Sequence, residues 1–182
     1  MRTFLTACAL LILLPAIGPA GEAAEESTFI LLNIVSTSNM SRFELVFTNT
    51  DDDSLVRISN EAQRGRVVTS GAAFILQEIP AGRYFLSAVN QVYDQDIQPV
   101  ARLRETRDYI ELRPGAINYI GNVHLEIDDR RGRNELDVSY EASSSTLIAA
   151  VSGERDTFRQ HDVFVTMVGE RPVPVDKSLL GL

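Results

Sequence analysis

The stretch Ala72–Val89, AAFILQEI-PAGR-YFLSAV, decides how the rest of the chain is read. Two short apolar runs, Ala72–Ile79 and Tyr84–Val89, flank Pro80-Ala81-Gly82. Proline presets φ for a turn and glycine accepts positive φ, so the chain turns here and runs back. Strand, turn, strand is therefore the unit to look for elsewhere.

It recurs in both directions. Thr28–Val35 (TFILLNIV) is a near-continuous apolar run and reads as a buried strand. Phe43–Phe47 alternates, with Phe43, Leu45 and Phe47 inward and Glu44 outward, which predicts a half-buried strand. Asn49–Ser54 (NTDDDS) is a turn, and Leu55–Ile58 a short return strand. Ser59–Gly71 is polar, and so is Asn90–Gln98, read as a loop. Val100–Leu103 and Tyr109–Leu112 are short strands. Pro114-Gly115 turns into Ile117–Ile127, whose Gly121 marks a bulge or a close backbone approach. Asp128–Arg133 (DDRRGR) is a hairpin tip before the alternating strand Leu136–Tyr140.

The period then changes. Leu147, Ile148, Val151 and Phe158 share an arc at helical spacing, and Ser143–Ser145 offers an N-cap. This predicts one helix over residues 145–159, weakened in its middle by Gly153. Asp162–Val168 is a last strand. Roughly nine or ten short strands between turn signals predict a mainly β fold. The fold class expected is an immunoglobulin-like or prealbumin-like β-sandwich with one C-terminal helix. Its sheets would each have one packed and one wet face. The domain runs over residues 25–170, with an extended, partly loose tail over 171–182.

Residues 1–24 read as an export signal. Arg2 is the positive start, Phe4–Leu14 the apolar stretch, and Pro15 and small residues follow. Cleavage is expected after Ala20, with Ala23 or Ala24 as alternatives. The apolar run is about half the length of a membrane span. Leu5-Thr6-Ala7-Cys8 resembles a lipobox, but Cys8 lies inside the apolar run and not after it, so no lipid anchor is expected. The expected location is the periplasm or the exterior. The chain has 17 Lys and Arg against 25 Asp and Glu, a net charge of −8, and removal of Arg2 takes it to −9. That balance argues against nucleic acid and anionic bilayers as partners. Cys8 is the single cysteine, so the mature chain has no thiol nucleophile, thiolate metal site or disulfide.

Ile79-Pro80-Ala81-Gly82-Arg83-Tyr84, Leu112-Arg113-Pro114-Gly115 and Tyr119-Ile120-Gly121-Asn122 form a pattern. It resembles exported bacterial β-sandwich proteins of unknown function, including prealbumin-like and carboxypeptidase-regulatory-like modules and some proteobacterial lipoproteins. The resemblance implies the sandwich and carries no site residues. The residues themselves read as structural, with Tyr84, Tyr109 and Tyr119 packing their rings into the sandwich.

Catalytic signatures are missing. There is no G-x-S-x-G, no P-loop and no Rossmann glycine pattern. His124 and His161 lack the spacing of a zinc site. Asp51, Asp52 and Asp53 are candidate calcium ligands, with Asp94 and Asp96 as loop partners. They lack the spacing of an EF-hand loop, and the plainer reading is a solvated hairpin tip. Arg102, Arg104, Arg107 and Arg113 suggest a basic edge, more plainly a strand face that blunts edge pairing. Arg130, Arg131 and Arg133 are nearly neutralised by flanking acids. The expectation is a non-catalytic exported β-sandwich domain, a protein-interaction or structural module of the cell envelope with another envelope protein as partner, and with no cofactor and no metal. The alternatives are a secreted hydrolase with an unrecognised carboxylate site, or a calcium-stabilised binding domain.

Overall fold

A computed structural model describes residues 27–36, 42–62, 73–93, 96–103, 108–128 and 135–182. The expected signal, Asp94, Arg104, Arg107 and the arginines of the 129–134 tip lie outside the described residues. The chain forms two β-sheets with a helical layer on one of them. The expected mainly β sandwich with a C-terminal helix is present.

The first sheet contains β1 (Phe29–Ser36), β4 (Ile75–Glu78), β8 (Ala116–Asp128), β9 (Glu135–Glu141), β10 (Asp162–Val165) and β11 (Val173–Pro174). The second contains β2 (Phe43–Asn49), β3 (Leu55–Ser59), β5 (Gly82–Tyr93), β6 (Asp96–Arg102) and β7 (Ile110–Leu112). Strand β1 lies between β4 and β8 and runs parallel to β8, as does β10. Strand β2 lies between β3 and β5.

The Pro80-Ala81-Gly82 turn is a corner, because β4 pairs with β1 in the first sheet while β5 pairs with β2, β6 and β7 in the second. The Tyr84 hydroxyl donates to the Pro80 carbonyl at 3.0 Å and braces this corner. Gly82 has φ +148, and a Cβ there would sit 2.8 Å from the Asn49 amide nitrogen. The positive φ favours glycine, and a larger residue would also displace the Asn49 side chain.

Between the sheets lie Ile30, Leu32, Phe43, Leu45, Phe47, Ile58, Tyr84, Val89, Ile120, Val123 and Leu125, among others. Full burial of such side chains contributes roughly 1.5–3 kcal/mol each. A second core lies on the far side of the first sheet. There Leu31, Phe74, Ile117, Tyr119 and Val163 meet Leu147, Ala150, Val151 and Phe158. The apolar run of β1 is thus continuous because both its faces are covered. One wet face per sheet holds only where the helices do not reach.

The helix arrives in two pieces, α1 (Ser144–Gly153) and α2 (Arg155–Gln160), broken at Glu154. Gly153 sits where a Cβ would meet the Phe74 ring at 2.9 Å, so the close approach explains the weak residue. Ile148 points outward, while Leu147, Val151 and Phe158 face the core. Ser143 occupies the N-cap without a side-chain cap. Its main chain is held instead by Tyr119, whose hydroxyl donates to the Ser143 carbonyl at 2.7 Å and accepts from the Ser143 amide at 2.8 Å.

Three other expectations change. Residues 90–93 and 96–98, expected in a loop, are strand, because β5 runs through Tyr93 and β6 begins at Asp96. Strand β2 is buried on both faces. Its Glu44 accepts from Arg57 at 2.7 Å and from Asn90 at 2.9 Å, so the carboxylate is buried with partners. The tail is docked: β11 pairs with β10, Leu180 and Leu182 pack on the second core, and Arg155 donates to the Gly181 carbonyl at 2.6 Å. Among the described residues, no helix is long and apolar enough to cross a membrane.

Candidate functional site

Two long strands organise the surface. Each is flanked along one edge by two short strands in tandem. Strand β8 carries β10 beside residues 116–119 and β9 beside residues 122–128. Strand β5 carries β7 beside residues 82–84 and β6 beside residues 88–93. Gly121 lies within β8 between the stretches that pair with β10 and with β9, and the register against β1 shifts there by one residue. Gly121 has φ +90, and a Cβ would fall 2.4 Å from the Glu141 carbonyl oxygen. The bulge and the close approach expected there are both present.

The matching gap in the second sheet lies around Leu86, between the end of β6 and the start of β7. There the sandwich opens into a groove of about 460 Å³. Leu86 and Leu103 line it from the second sheet, Leu136, Val138 and Tyr140 from β9, and Val168 from the segment after β10. That segment closes one end by crossing between sheets, since the Thr166 amide bonds the Tyr119 carbonyl and the Gly169 amide bonds the Tyr109 carbonyl. Burial pushes the Tyr140 hydroxyl well above the usual tyrosine range, so it stays a neutral donor at the groove wall.

Asp108 and Asp137 also border the groove. Alternation separates them. Leu136, Val138 and Tyr140 face inward, so the Asp137 side chain points to the opposite face, beside Glu126. Among the described residues, Asp108 and Asp137 are therefore not gathered as a pair in the groove.

The aspartates of the β2–β3 turn are engaged in holding that turn. The Asp51 amide bonds the Asn49 side chain at 2.8 Å, and the Asp51 carboxylate meets Arg83 at 3.0 Å. The Ser54 side chain first, and then the Ser54 amide at 2.9 Å, hydrogen-bond the Asp52 carboxylate and lower its pKa. Asp53 has φ 59, a conformation aspartate tolerates. Arg83 also stacks over the half-exposed Tyr109 ring at 5.3 Å, so Tyr109 lies outside the core. Tyr119 is buried, but against the helices and not inside the sandwich. Among the described residues, no three His, Cys, Asp or Glu side chains gather closely enough to hold a metal ion.

His124 points away from Val123 and Leu125, as alternation predicts, and meets Glu141 at 3.1 Å. His161 contacts the Gly115 carbonyl at 3.1 Å and the edge of Phe29. Arg102 and Arg113 are exposed. The buried Asn118 joins three segments. It accepts from the Arg113 amide at 2.8 Å and donates to the carbonyls of Phe29, Arg113 and Ala116. This explains Pro114-Gly115 and the strand after it as a structural latch.

Neither the groove nor the latch has a linear signature. The alternation of residues 136–140 was the one visible trace of the groove.

No family model matches the sequence, and no curated protein does. Among solved structures the chain is similar to a leucine-rich repeat protein from Bacteroides thetaiotaomicron, at 14% identity and a TM-score of 0.36. The similarity covers 57% of this chain and 14% of that protein's length.

Proposed function

We propose that the chain is a non-catalytic exported β-sandwich domain that acts as a protein-interaction module of the cell envelope. The observation that carries the interaction reading is the groove at the open edge of the sandwich. Its walls are mainly aliphatic, with the Tyr140 ring among them and aspartates at the border, and it lies beside an edge strand. Concave apolar surface next to unpaired backbone is the chemistry of a docking site. Export rests on the n-region, apolar stretch and small residues of positions 1–24.

Two measurements test the two halves. Mass spectrometry of the protein from fractionated cells is expected to find a mature N-terminus at Gly21, Ala24 or Glu25 in the exported fraction. An intact Met1 in the cytoplasm contradicts export. Crosslinking in the intact envelope is expected to give a discrete adduct that depends on residues of the groove edge. Recovery of monomer alone contradicts the interaction reading.

A further inference from the structure

We propose that the free edge of β9 takes up an extended peptide strand whose side chains alternate apolar and basic. The apolar set enters the groove, and the basic set lies beside Asp137 and Glu141. This rests on the interaction reading above and names the class of partner for it.

Among the described residues β9 pairs with β8 alone, so its other edge presents unpaired backbone donors and acceptors. Exposed edges are usually blunted. Strand β6, the edge of the facing sheet, carries Pro99, which removes a donor. Strand β9 (ELDVSYE) has no proline, glycine or lysine, and its ladder runs without a register shift from Asn122↔Glu141 to Asp128↔Glu135. It is an unbroken edge of strand length.

Its two faces differ in character. Leu136, Val138 and Tyr140 line the groove. Asp137, Ser139 and Glu141 face out and are exposed. The register places exposed Glu126 across from Asp137. His124 meets Glu141 and offsets part of this charge when protonated. A strand added at the usual spacing of about 4.8 Å would set its own outward side chains within reach of Asp137 and Glu141. Lysine or arginine suits those positions, and acids are repelled. The same charges disfavour a second copy of β9 as the occupant, since self-pairing would bring acidic side chains together.

The probe is a fluorescent seven-residue peptide of alternating valine and lysine, titrated at low salt. Its comparisons are an alternating valine–glutamate peptide and two valine–lysine peptides N-methylated on one or the other alternate set of residues. The valine–lysine peptide is expected to bind at least ~10-fold more tightly than the valine–glutamate peptide. One of the two N-methylated sets is expected to abolish binding at unchanged charge. The double variant Asp137→Lys, Glu141→Lys is expected to reverse the preference. A matched swap of Asp156 and Glu170, exposed on other elements, is expected to leave it in place. Equal affinity for both peptides, binding that survives both N-methylations, or a preference unmoved by the β9 swap overturns the inference. So does the absence of saturable binding below millimolar concentration. An envelope partner crosslinked at the groove without this peptide preference sinks the strand-addition inference and leaves the interaction reading standing. Peptide binding with no envelope partner does the reverse.

Discussion

The hydroxyl of Tyr84 donates to the carbonyl of Pro80 at 3.0 Å, across the corner that carries the chain from one sheet to the other. The ring is buried in the inter-sheet core, while Pro80 is exposed. Tyr84→Phe therefore keeps the packing and leaves an acceptor that water reaches. It is expected to cost about 0.5–1.5 kcal/mol in urea unfolding. Tyr84→Ala empties the core site and is expected to cost roughly 3–5 kcal/mol. Equal losses for the two variants would contradict the account of the corner.

Gly121 and Gly181 both hold positive φ, +90 and +70, but differ in surroundings. A Cβ at Gly181 meets nothing within 4 Å, whereas at Gly121 it collides with the main chain of Glu141. Gly181→Ala is expected to cost about 1–2 kcal/mol, the backbone penalty alone. Gly121→Ala should cost clearly more, because β9 must shift as well. Amide exchange of β9 should also accelerate in Gly121→Ala and stay unchanged in Gly181→Ala.

Asn118 and Asn33 make a second contrast. Asn118 is fully buried with every polar atom bonded, so Asn118→Ala strands several main-chain groups and is expected to cost at least ~3 kcal/mol. Asn33 leaves its side-chain oxygen without a partner, and its amide meets Asn122 at a long 3.3 Å. Asn122 also accepts from Thr146 at 2.8 Å, so it stays satisfied. Asn33→Val is expected to be near neutral or stabilising by thermal melting.

Tyr119 and Tyr140 are both held neutral, chiefly by burial, with folded-state pKa values above the ordinary 10.0. Their contribution to stability is complete below pH about 10 and is lost as the pH rises from there through the folded-state values. Urea midpoints should accordingly fall above pH 10, and less steeply in Tyr140→Phe than in the wild type. A parallel fall in both would contradict the assignment.

The tail closes the second core through Leu180, Leu182 and the Arg155–Gly181 bond. Removal of residues 177–182 is expected to destabilise the domain by roughly 1–3 kcal/mol, because Leu180 and Leu182 no longer pack on the second core. An unchanged melting temperature would show that the tail is not part of the fold.

Local chemistry was legible in the sequence wherever neighbours in the chain decide the outcome. Alternation places Val123 and Leu125 inward and His124 outward, and Gly121 marks its bulge. What depends on distant partners was not legible. The parallel pairing of β1 with β8 joins residues far apart in the chain, and no turn announces it. The same holds for the corner at Pro80, whose residues suit a hairpin equally well. Glu44 looked like a wet-face residue because its partners, Arg57 and Asn90, come from two other strands. The groove brings Leu86, Leu103 and Val168 together from three segments, so only its β9 wall left a pattern.

The most direct test of the central claim is site-specific photo-crosslinking in intact cells. A photoreactive side chain replaces Asp137 on the outer face of β9 or, as a control, the exposed Glu170. A discrete adduct with an envelope protein is expected from position 137 and none from position 170. Monomer alone from position 137, or the same adducts from both positions, would contradict the claim.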